Sequence, residues 1–479
     1  MKKIIRRNRL LRVGVPTVLM AVGAVAMLQG GAPPADGFQD LSLHRILAAG
    51  ELKVITGSSP SGYYVYGSPS MGFDYELARE FTEQLGVRLR VVPCGSWEEM
   101  LTALYSRRGD LIAAGTEMTP SRIRQAAFSN AYQQVQQHLV SHRSRAPITH
   151  LQDLAGKTVD VSRGSAQHEQ LERLKRQGID VIIRAHDNIP DSLLIQRVAR
   201  GEIDFTVANS NIALMSRRYY PSASMKAISH DAVPLGWALR PEDRSLLLRV
   251  NAFFRSIVES GRLDDIYEKY HWEIGDFDYL DLKAFHERMR SRLPRYRPFI
   301  KDAARKYGFD WCLIAAQAYR ESHLDPLARG AYDAQGLMQI RPATGRSVKL
   351  ADPFDPVANI KAGVQYLRWL YDLYDGVQED ERRLMALAAY NIGPGHVQDA
   401  RRLASRMGLD PNRWESLAST LLLLRDRKYY QDTEQGFCRG DITVAYVKHI
   451  LIYYDILKRQ ELDAMTAKAA AETNAAFVD

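Results

Sequence analysis

The chain has 479 residues, enough for two or three domains, and its 46% hydrophobic and 25% charged residues are ordinary for globular protein. The formal net charge of +8 does not indicate a nucleic-acid-binding protein, because no basic stripe with interleaved aromatic residues accompanies it. The three cysteines, Cys94, Cys312 and Cys438, include no C-x-x-C pair, which argues against zinc or thioredoxin chemistry. We therefore predict no metal, no cofactor and no nucleic-acid partner.

The N-terminal segment carries an export signal. Six Lys or Arg residues lie within the first 12 positions and precede an apolar stretch over 13–28. This layout is typical of a signal peptide or of an uncleaved membrane anchor, and residues 1–35 are predicted to be one of the two. Basic charge before the apolar stretch sends the rest of the chain to the periplasmic side of the envelope. The stretch is short for a full span and lacks an A-x-A cleavage site, so cleavage and retention both stay open.

Residues 39–275 show alternating strand-like and helix-like patterns. Strands are predicted over 52–56, 88–92, 110–114, 181–183 and 204–208, and helices over 73–85 and 97–105. Such alternation indicates an α/β domain with a largely parallel sheet. A second set of these elements begins at residue 151. We therefore expect two lobes with a ligand cleft between them.

Four motifs in this region carry a family resemblance. They are GFDYELAREFTEQLGV at 72–87, GTEMTPSR at 115–122, LAGKTVDVSRGS at 154–165 and GEIDFTVANS at 201–210. In this order they resemble the periplasmic solute-binding domain of the amino-acid-binding type. The resemblance implies that Arg122 pairs with the α-carboxylate of a ligand, as a planar donor fork can. It also places Thr119 and Asn209 in the same ligand-binding cleft.

Two positions depart from that family's pattern. Asn209 stands where the family usually has an Asp that holds the ligand's α-amino group, and Glu117 stands where a ligand-contacting Thr is common. Both changes weaken the binding of a free amino acid. The expected role is therefore a regulatory cleft for a muropeptide or amino-acid-like ligand, and not a transport receptor. A surface or hinge salt bridge is the structural alternative for Arg122.

The second half of the chain contains a helix that ends in a carboxylate. The segment DWCLIAAQAYRES begins at Asp310, a residue type suited to capping a helix N-terminus, and it contains no Gly or Pro. Ile314, Gln317 and Glu321 share one face of this helix. Partial burial on that face keeps a carboxyl group protonated near neutrality, as a glycosidic general acid requires. An exposed structural carboxylate is the alternative for a lone Glu.

Further motifs follow Glu321 at fixed distances. They are Asp325-Pro326, GLMQI at 336–340, Asp355-Pro356, Asn359-Ile360 with Gly363 and Tyr366-Leu367, and AAYNIGPG at 388–395. As an ordered set they resemble the lytic transglycosylase domain of the soluble-transglycosylase type, a lysozyme-like, mainly helical fold that cleaves the glycan strands of peptidoglycan. The resemblance covers residues 282–460 and leaves an Ala-rich tail over 461–479.

The two domains in this order resemble a family of membrane-bound lytic murein transglycosylases. The fold class implied is an α/β two-lobed binding domain followed by an all-α-dominated lysozyme-like domain. The family suggests attachment to the outer membrane, whereas an uncleaved N-terminal anchor would favour the inner membrane. The connection that begins at Trp272 is short and aromatic, which indicates that the domains touch.

The chemistry predicted for this domain needs one carboxylate. Standard glycoside hydrolysis uses two, but Asp325 and Asp333 are placed for turn hydrogen bonds. With a single acid, Glu321 protonates the leaving glycosidic oxygen and then accepts the proton of the muramoyl 6-hydroxyl as that hydroxyl attacks C1. This reaction cleaves the β-1,4 bond between MurNAc and GlcNAc, leaves a 1,6-anhydro-MurNAc end and consumes no water.

The resemblance also assigns supporting residues. Gln339 and the backbone around Met338 would contact the sugar, Tyr390 and Asn391 would shape the groove, and Tyr446 would lie close to the catalytic Glu. Tyr390 as a core residue and Asn391 as a turn residue are the alternatives.

Two departures bear on activity. Gly330 replaces a common Ser and Ile442 replaces a common Glu, so polar contacts are lost while the acid is retained. The alternatives to an active enzyme are a catalytically weakened cell-wall-binding sensor and a periplasmic solute receptor with a wall-anchoring domain.

Overall fold

The computed structural model describes residues 40–57, 64–65, 70–145, 148, 150–187, 189–228, 231–271 and 279–475. The predicted export segment at 1–35 and the connection at 272–278 lie outside these residues. No helix within the described ranges is long and apolar enough to cross a membrane. An α/β part is followed along the chain by a helical part.

The α/β part contains strands and helices close to those predicted. The strands are β1 Glu51–Gly57, β2 Tyr64–Val65, β3 Ser70–Met71, β4 Arg88–Cys94, β5 Leu111–Ile112, β6 Ala127–Phe128, β7 Gln133–Val135, β8 Gln137–His142, β9 Thr158–Ser162, β10 Ile182–His186, β11 Phe205–Asn209, β12 Ala223–Ala227, β13 Val233–Leu235 and β14 Ala238–Leu239. The helices are α1 Ser42–Ala49, α2 Phe73–Leu85, α3 Trp97–Tyr105, α4 Pro120–Ile123, α5 Ala166–Arg176, α6 Asp191–Ala199, α7 Ser210–Ser216, α8 Arg244–Ser260 and α9 Arg262–His271.

Each lobe is built on a five-stranded sheet. The first sheet has the order β4-β1-β5-β14-β6 and the second has the order β10-β9-β11-β8-β12. The first three strands of each order pair in parallel, whereas β14 and β8 run antiparallel to their neighbours. The predicted parallel pairing is therefore present in the part of each sheet that is built by strand-helix alternation. The strands β8 and β14 follow the two crossings between lobes.

The two crossings lie side by side at a hinge. Strand β7 leads from the first lobe into the second, strand β13 leads back, and the two pair antiparallel. Separate apolar cores lie on the two lobes, one around Phe81 and Trp237 in lobe 1 and one around Val159 and Leu171 in lobe 2. The lobes are therefore individually packed units joined by a two-stranded hinge.

The helical part surrounds one apolar core. Its helices are α10 Tyr279–Ser291, α11 Leu293–Tyr307, α12 Trp311–Ser322, α13 Pro342–Ser347, α14 Pro356–Asp372, α15 Glu379–Ile392, α16 Pro394–Arg406, α17 Trp414–Leu423, α18 Arg427–Tyr430 and α19 Gly440–Ala475. Helix α12 is buried over most of its length and packs against α19 and α11. The Ala-rich tail predicted from 461 continues α19 as helix up to Ala475, which fits the high helix propensity of Ala.

The three cysteines are buried and free. Cys312 and Cys438, the only pair within the helical part, therefore form no disulfide in this structure. Burial raises the pKa of the Cys438 thiol to about 11.

Candidate active site

Glu321 lies in the last turn of α12, where local sequence fixes the helix at both ends. Asp310 caps the N-terminus, with its carboxylate accepting the N–H of Cys312 at 2.8 Å. The helix ends at Ser322 because His323 and Leu324 adopt left-handed backbone conformations, with φ of 55° and 59°. The predicted helix and its predicted cap are both present.

The surroundings of Glu321 favour a protonated carboxyl group. Burial raises its pKa to about 7, although the hydrogen bond from Tyr446 and the charges of Arg320 and Arg341 act in the opposite direction. The Tyr446 hydroxyl donates to Glu321 Oε1 at 2.5 Å, and burial raises the pKa of Tyr446 well above its usual value. Gln317 Nε2 in turn donates to the Tyr446 hydroxyl at 3.4 Å. The structure thus brings together the predicted acid and the predicted late Tyr.

The GLMQI segment is held against α12 and α14 by hydrogen bonds. The Ser322 hydroxyl donates to the carbonyl of Leu337 at 2.9 Å. Asn359 accepts the N–H of Met338 at 2.7 Å and donates to the carbonyls of Gln335 and Pro353 at 3.0 and 2.8 Å. Tyr390 donates to the carbonyl of Met338 at 2.8 Å. Asn359 belongs to the motifs that carry the family resemblance, but it was not predicted as a site residue.

Three residues of the predicted site make hydrogen bonds within the protein. The side-chain amide of Gln339 donates to the carbonyls of Ala328 and Gly336 at 3.1 and 2.9 Å. Both main-chain groups of Met338 have partners, and its side chain is buried. Asn391 Oδ1 accepts the hydroxyl of Thr443 at 2.8 Å, which ties α15 to α19. In this structure the polar groups of these residues are therefore bonded to neighbouring parts of the protein.

The two departures from the family pattern have local consequences. A Cβ atom at position 330 would collide with Oε1 of Gln339, so Gly330 provides the space into which the Gln339 side chain folds. Ile442 is exposed near the start of α19, on the same helix as Tyr446. Neither residue is a partner in the hydrogen bond between Tyr446 and Glu321.

Aromatic side chains are found on α14 and in the turn that precedes GLMQI. Tyr366 stacks on Trp369 with ring centroids 5.6 Å apart and lies 5.4 Å from the ring of Tyr390. Trp369 is 51% exposed and Tyr332 is 80% exposed. The guanidinium of Arg341 lies 4.8 Å from the Tyr332 ring centroid. Both rings therefore present apolar surface to solvent, and an aromatic face of this kind can pack against a ligand.

The two nearby aspartates make the turn hydrogen bonds expected of them. Asp325 accepts the N–H of Leu327 at 3.0 Å, and Asp333 accepts from the Gln335 side chain at 3.2 Å. Among the described residues, the charges that act on the pKa of Glu321 are the cations Arg320 and Arg341, with no carboxylate among them. Within the same residues, no group of three or more His, Cys, Asp or Glu side chains could hold a metal ion.

The predicted ligand residues of the α/β part meet between the lobes. Arg122 forms a buried ion pair with Glu117, and Asn209 donates to Glu117 Oε1 at 2.7 Å. Thr119 caps the short helix α4, its hydroxyl accepting the N–H of Arg122 at 3.3 Å. Gln167, which sequence reasoning missed, joins them as a further donor to Glu117 at 3.2 Å.

Two family models match the chain. The model of bacterial extracellular solute-binding proteins, family 3, matches residues 52–273, and the transglycosylase SLT domain matches residues 298–409. The fold and the site thus define a two-domain protein in which a solute-binding domain precedes a transglycosylase domain. A solved ancestral arginine-binding protein bound to arginine is 27% identical, with a TM-score of 0.43, over 46% of this chain and 98% of that one.

Two relatives align with this chain over most of their own length. The membrane-bound lytic murein transglycosylase F of Desulfosudis oleivorans is 44% identical over 88% of this chain and 92% of its own length. The protein of the same name from Ectopseudomonas mendocina is 34% identical over 93% of this chain and 92% of its own length. The chain belongs to the membrane-bound lytic murein transglycosylase F family.

Proposed function

We propose that the protein is a peptidoglycan lytic transglycosylase in which Glu321 acts as the only catalytic carboxyl group. It cleaves the β-1,4 bond between MurNAc and GlcNAc and leaves a 1,6-anhydro-MurNAc end. The observation that carries this proposal is the partly buried Glu321, whose pKa burial raises to about 7, in hydrogen-bond contact with Tyr446 and with no second carboxylate acting on it among the described residues.

In the first step the protonated Glu321 acts as the acid. Its proton passes to the glycosidic oxygen as the bond between that oxygen and C1 of MurNAc breaks, and the GlcNAc-bearing fragment leaves as an alcohol. A carboxyl group with a pKa near the ambient pH is suited to this transfer. The positive charge that develops at C1 is offset as Glu321 becomes a carboxylate.

In the second step the same residue acts as the base. The 6-hydroxyl oxygen of the MurNAc attacks C1, a C1–O6 bond forms, and the hydroxyl proton returns to Glu321. The nucleophile belongs to the substrate, so proximity replaces a positioned water molecule. Tyr446 supports the carboxylate between the steps, because a phenol that donates to it stabilises the charged form.

The remaining predicted residues have supporting roles in this proposal. Tyr390 and Asn359 hold the main chain of Met338, and Asn391 ties α15 to α19, so the walls of the groove keep their shape. Trp369 and Tyr332 present exposed aromatic surface on which sugar rings can pack. Gln339 contacts the sugar if its amide exchanges one of its two loop carbonyls for a substrate oxygen.

The proposed division into domains is the one predicted from the sequence. Residues 1–35 are the export signal or anchor, residues 39–275 a regulatory solute-binding domain, residues 282–460 the catalytic domain, and residues 461–479 the Ala-rich tail, of which 461–475 extend α19. The protein is membrane-associated in the cell envelope, with the outer membrane favoured by the family and the inner membrane as the alternative if the N-terminal segment is not cleaved. Fractionation of cells into cytoplasm, inner membrane and outer membrane tests this location, and recovery in the cytoplasm contradicts it.

Mass spectrometry of murein sacculi digested with the purified protein tests the reaction. We expect muropeptides with 1,6-anhydro-MurNAc ends, which weigh one water less than hydrolytic products. Reducing MurNAc ends would instead show a hydrolase. Binding to sacculi without release of any muropeptide would support the cell-wall-binding sensor.

A further inference from the structure

Four buried side chains join the two lobes of the solute-binding domain. Glu117 and Arg122 belong to lobe 1, whereas Gln167 and Asn209 belong to lobe 2, and all four are at most 7% exposed. The Arg122 guanidinium donates to the Glu117 carboxylate. Asn209 and Gln167 donate to Oε1 of the same carboxylate at 2.7 and 3.2 Å, and Gln167 donates to Asn209 Oδ1 at 3.0 Å. We call this set the interlobe bridge.

The carboxylate at its centre has the environment of a bound ligand. A guanidinium supplies charge and N–H donors from one lobe, while two side-chain amides supply donors from the other. The second face of Arg122 is also engaged, because its Cζ lies 4.9 Å from the centroid of the Trp97 ring. Arg122 is thus engaged both by the Glu117 carboxylate and by the ring of Trp97.

We propose that Glu117 is a tethered carboxylate that occupies the α-carboxylate position of the cleft, joins the lobes without ligand and excludes free α-amino acids. Glu117 is then the residue that sets the ligand specificity of this domain. Its replacement by Thr uncovers a latent amino-acid site. The proposal is independent of the reaction assigned to Glu321.

The charge balance of the cleft opposes displacement of Glu117. Burial by itself raises the pKa of Glu117, but the charge of Arg122 and the hydrogen bonds to the carboxylate outweigh it and hold the pKa below its ordinary value. A ligand carboxylate that took Arg122 would leave a buried negative charge without its cation, which is strongly unfavourable. Burial and the neighbouring Glu117 also raise the pKa of Asp191 to about 7, so a further carboxyl group faces this charge.

Glu117 lies beside the hinge between the lobes, so its side chain can bond to lobe 2 while its backbone is held in lobe 1. The N–H of Met118 donates to the carbonyl of Pro234 at 2.9 Å, and the N–H of Gly236 donates to the carbonyl of Thr116 at 3.1 Å. The backbone of Glu117 is therefore fixed against the hinge strand β13. The lobes also approach closely elsewhere, since a Cβ atom at Gly164 of lobe 2 would lie 2.6 Å from a carboxylate oxygen of Glu98 in lobe 1.

Isothermal titration calorimetry of the full-length protein tests the specificity claim. The probes are L-arginine, L-glutamine and L-glutamate, and the variants are Glu117→Thr, Glu117→Thr with Asn209→Asp, and the exposed control Glu83→Thr. We expect no saturable binding by the wild type or the control at about 1 mM. Glu117→Thr should bind at least one probe with a Kd at least about tenfold below 1 mM, and the double variant should have a lower Kd again. Saturable wild-type binding, or folded Glu117→Thr protein without any binding, overturns the proposal.

A distance measurement tests closure without relying on ligand binding. Cysteines introduced at Glu83 in lobe 1 and at Lys175 in lobe 2 carry spin labels. Pulsed electron paramagnetic resonance then measures the distance between the two labels. We expect one short distance for the protein without ligand and a longer or broader distribution for Glu117→Ala. Identical distributions in the two proteins overturn the proposal, because the interlobe bridge would then not hold the lobes together.

Discussion

Glu321 must donate a proton and then accept one, and its surroundings balance these two demands. Burial opposes the charged form and raises the pKa to about 7, whereas Tyr446, Arg320 and Arg341 favour the charged form. A carboxyl group at the end of an exposed helix would be ionised at neutral pH and could not act as an acid. The apolar face of α12 therefore contributes to catalysis by supplying the burial.

Glu321→Gln should abolish glycan cleavage while the fold is kept. The amide has nearly the shape of the acid and its oxygen still accepts from Tyr446, but it cannot deliver the proton, so we expect a loss of at least about 10²-fold. Release of anhydro-muropeptides from sacculi measures the loss, and circular dichroism checks the fold. Glu379→Gln, at an exposed position of α15, is the matched control and should retain full activity. Near-wild-type cleavage by Glu321→Gln would contradict the assignment.

The rate of cleavage should fall as the pH rises through about 7, because Glu321 then loses the proton that it must donate. In Tyr446→Phe the hydrogen bond that lowers this pKa is absent. The pKa of Glu321 therefore rises, and the falling limb of the pH profile should move to higher pH. Initial rates across the range measure the shift. A falling limb that stays in place or moves to lower pH would show that Tyr446 does not act on the acid.

The same carboxyl group should make folding depend on pH. Its pKa in the folded state lies above the ordinary value, so the stability it contributes is present at low pH and is lost as the pH rises through about 7. Glu321→Gln stays neutral throughout and should exceed the wild type in stability by up to about 3 kcal/mol above that pH, with a much smaller difference near pH 4. Urea unfolding at both pH values measures this difference. An equal difference at the two pH values would contradict a raised pKa.

At the scale of elements, α12 depends on its N-terminal cap. Asp310 accepts the N–H of Cys312, the hydroxyl of Tyr454 at 3.1 Å and the ammonium group of Lys458 at 3.0 Å, and the last two partners lie on α19. One side chain therefore caps the catalytic helix and joins it to the helix that carries Tyr446.

Asp310→Ala should destabilise the helical part by about 1 to 2 kcal/mol through loss of the cap, with a further loss from Lys458. Asp310→Asn keeps an acceptor for the N–H of Cys312 but not the negative charge, so its stability should lie between those of the wild type and Asp310→Ala. Thermal unfolding of the three proteins gives the order. Equal Tm values for Asp310→Ala and the wild type would show that the cap contributes nothing.

Local sequence was sufficient to predict the elements built by strand-helix alternation and the helix that ends at Glu321. The antiparallel strands β8 and β14 were not predicted, because their direction depends on the two crossings between lobes and not on local pattern. Similarly, Asn359 and Gln167 act through partners far away in sequence, which only the fold brings together. Tyr446 could be placed near Glu321 by resemblance alone, since 125 positions separate the two residues.

At the scale of the whole molecule, α19 connects the binding domain to the active site. Tyr446 on this helix donates to Glu321, and two later residues of the same helix contact lobe 2. Asp455 accepts from the Tyr219 hydroxyl at 2.5 Å, and Asp463 accepts from the side chain of Gln196 at 2.8 Å. These hydrogen bonds therefore join the two domains in addition to the covalent connection of the chain.

Asp455→Ala should reduce cleavage although Asp455 lies more than two helical turns beyond Tyr446. The change leaves the hydroxyl of Tyr219 and the guanidinium of Arg218 without this acceptor, which loosens lobe 2 from α19 and weakens the positioning of Tyr446. Coupling free energies between sites typically correspond to factors of about 5 to 150, so we expect at least about a fivefold fall in the rate of sacculus digestion. Asp302→Ala, which removes an exposed carboxylate on α11, is the control and should leave the rate unchanged.

Tyr219→Phe removes the other half of the same hydrogen bond and should lower the rate in the same direction. If both residues act through their contact, the double variant with Asp455→Ala should lose less than the sum of the two single effects. Additive effects would mean that the two residues act separately. Unchanged cleavage rates in both single variants, together with an unchanged rate on deletion of residues 39–275, would contradict coupling between lobe 2 and Glu321. The contacts with α19 would then hold the two domains together without affecting the acid. The solute-binding domain would be left with a role in localisation.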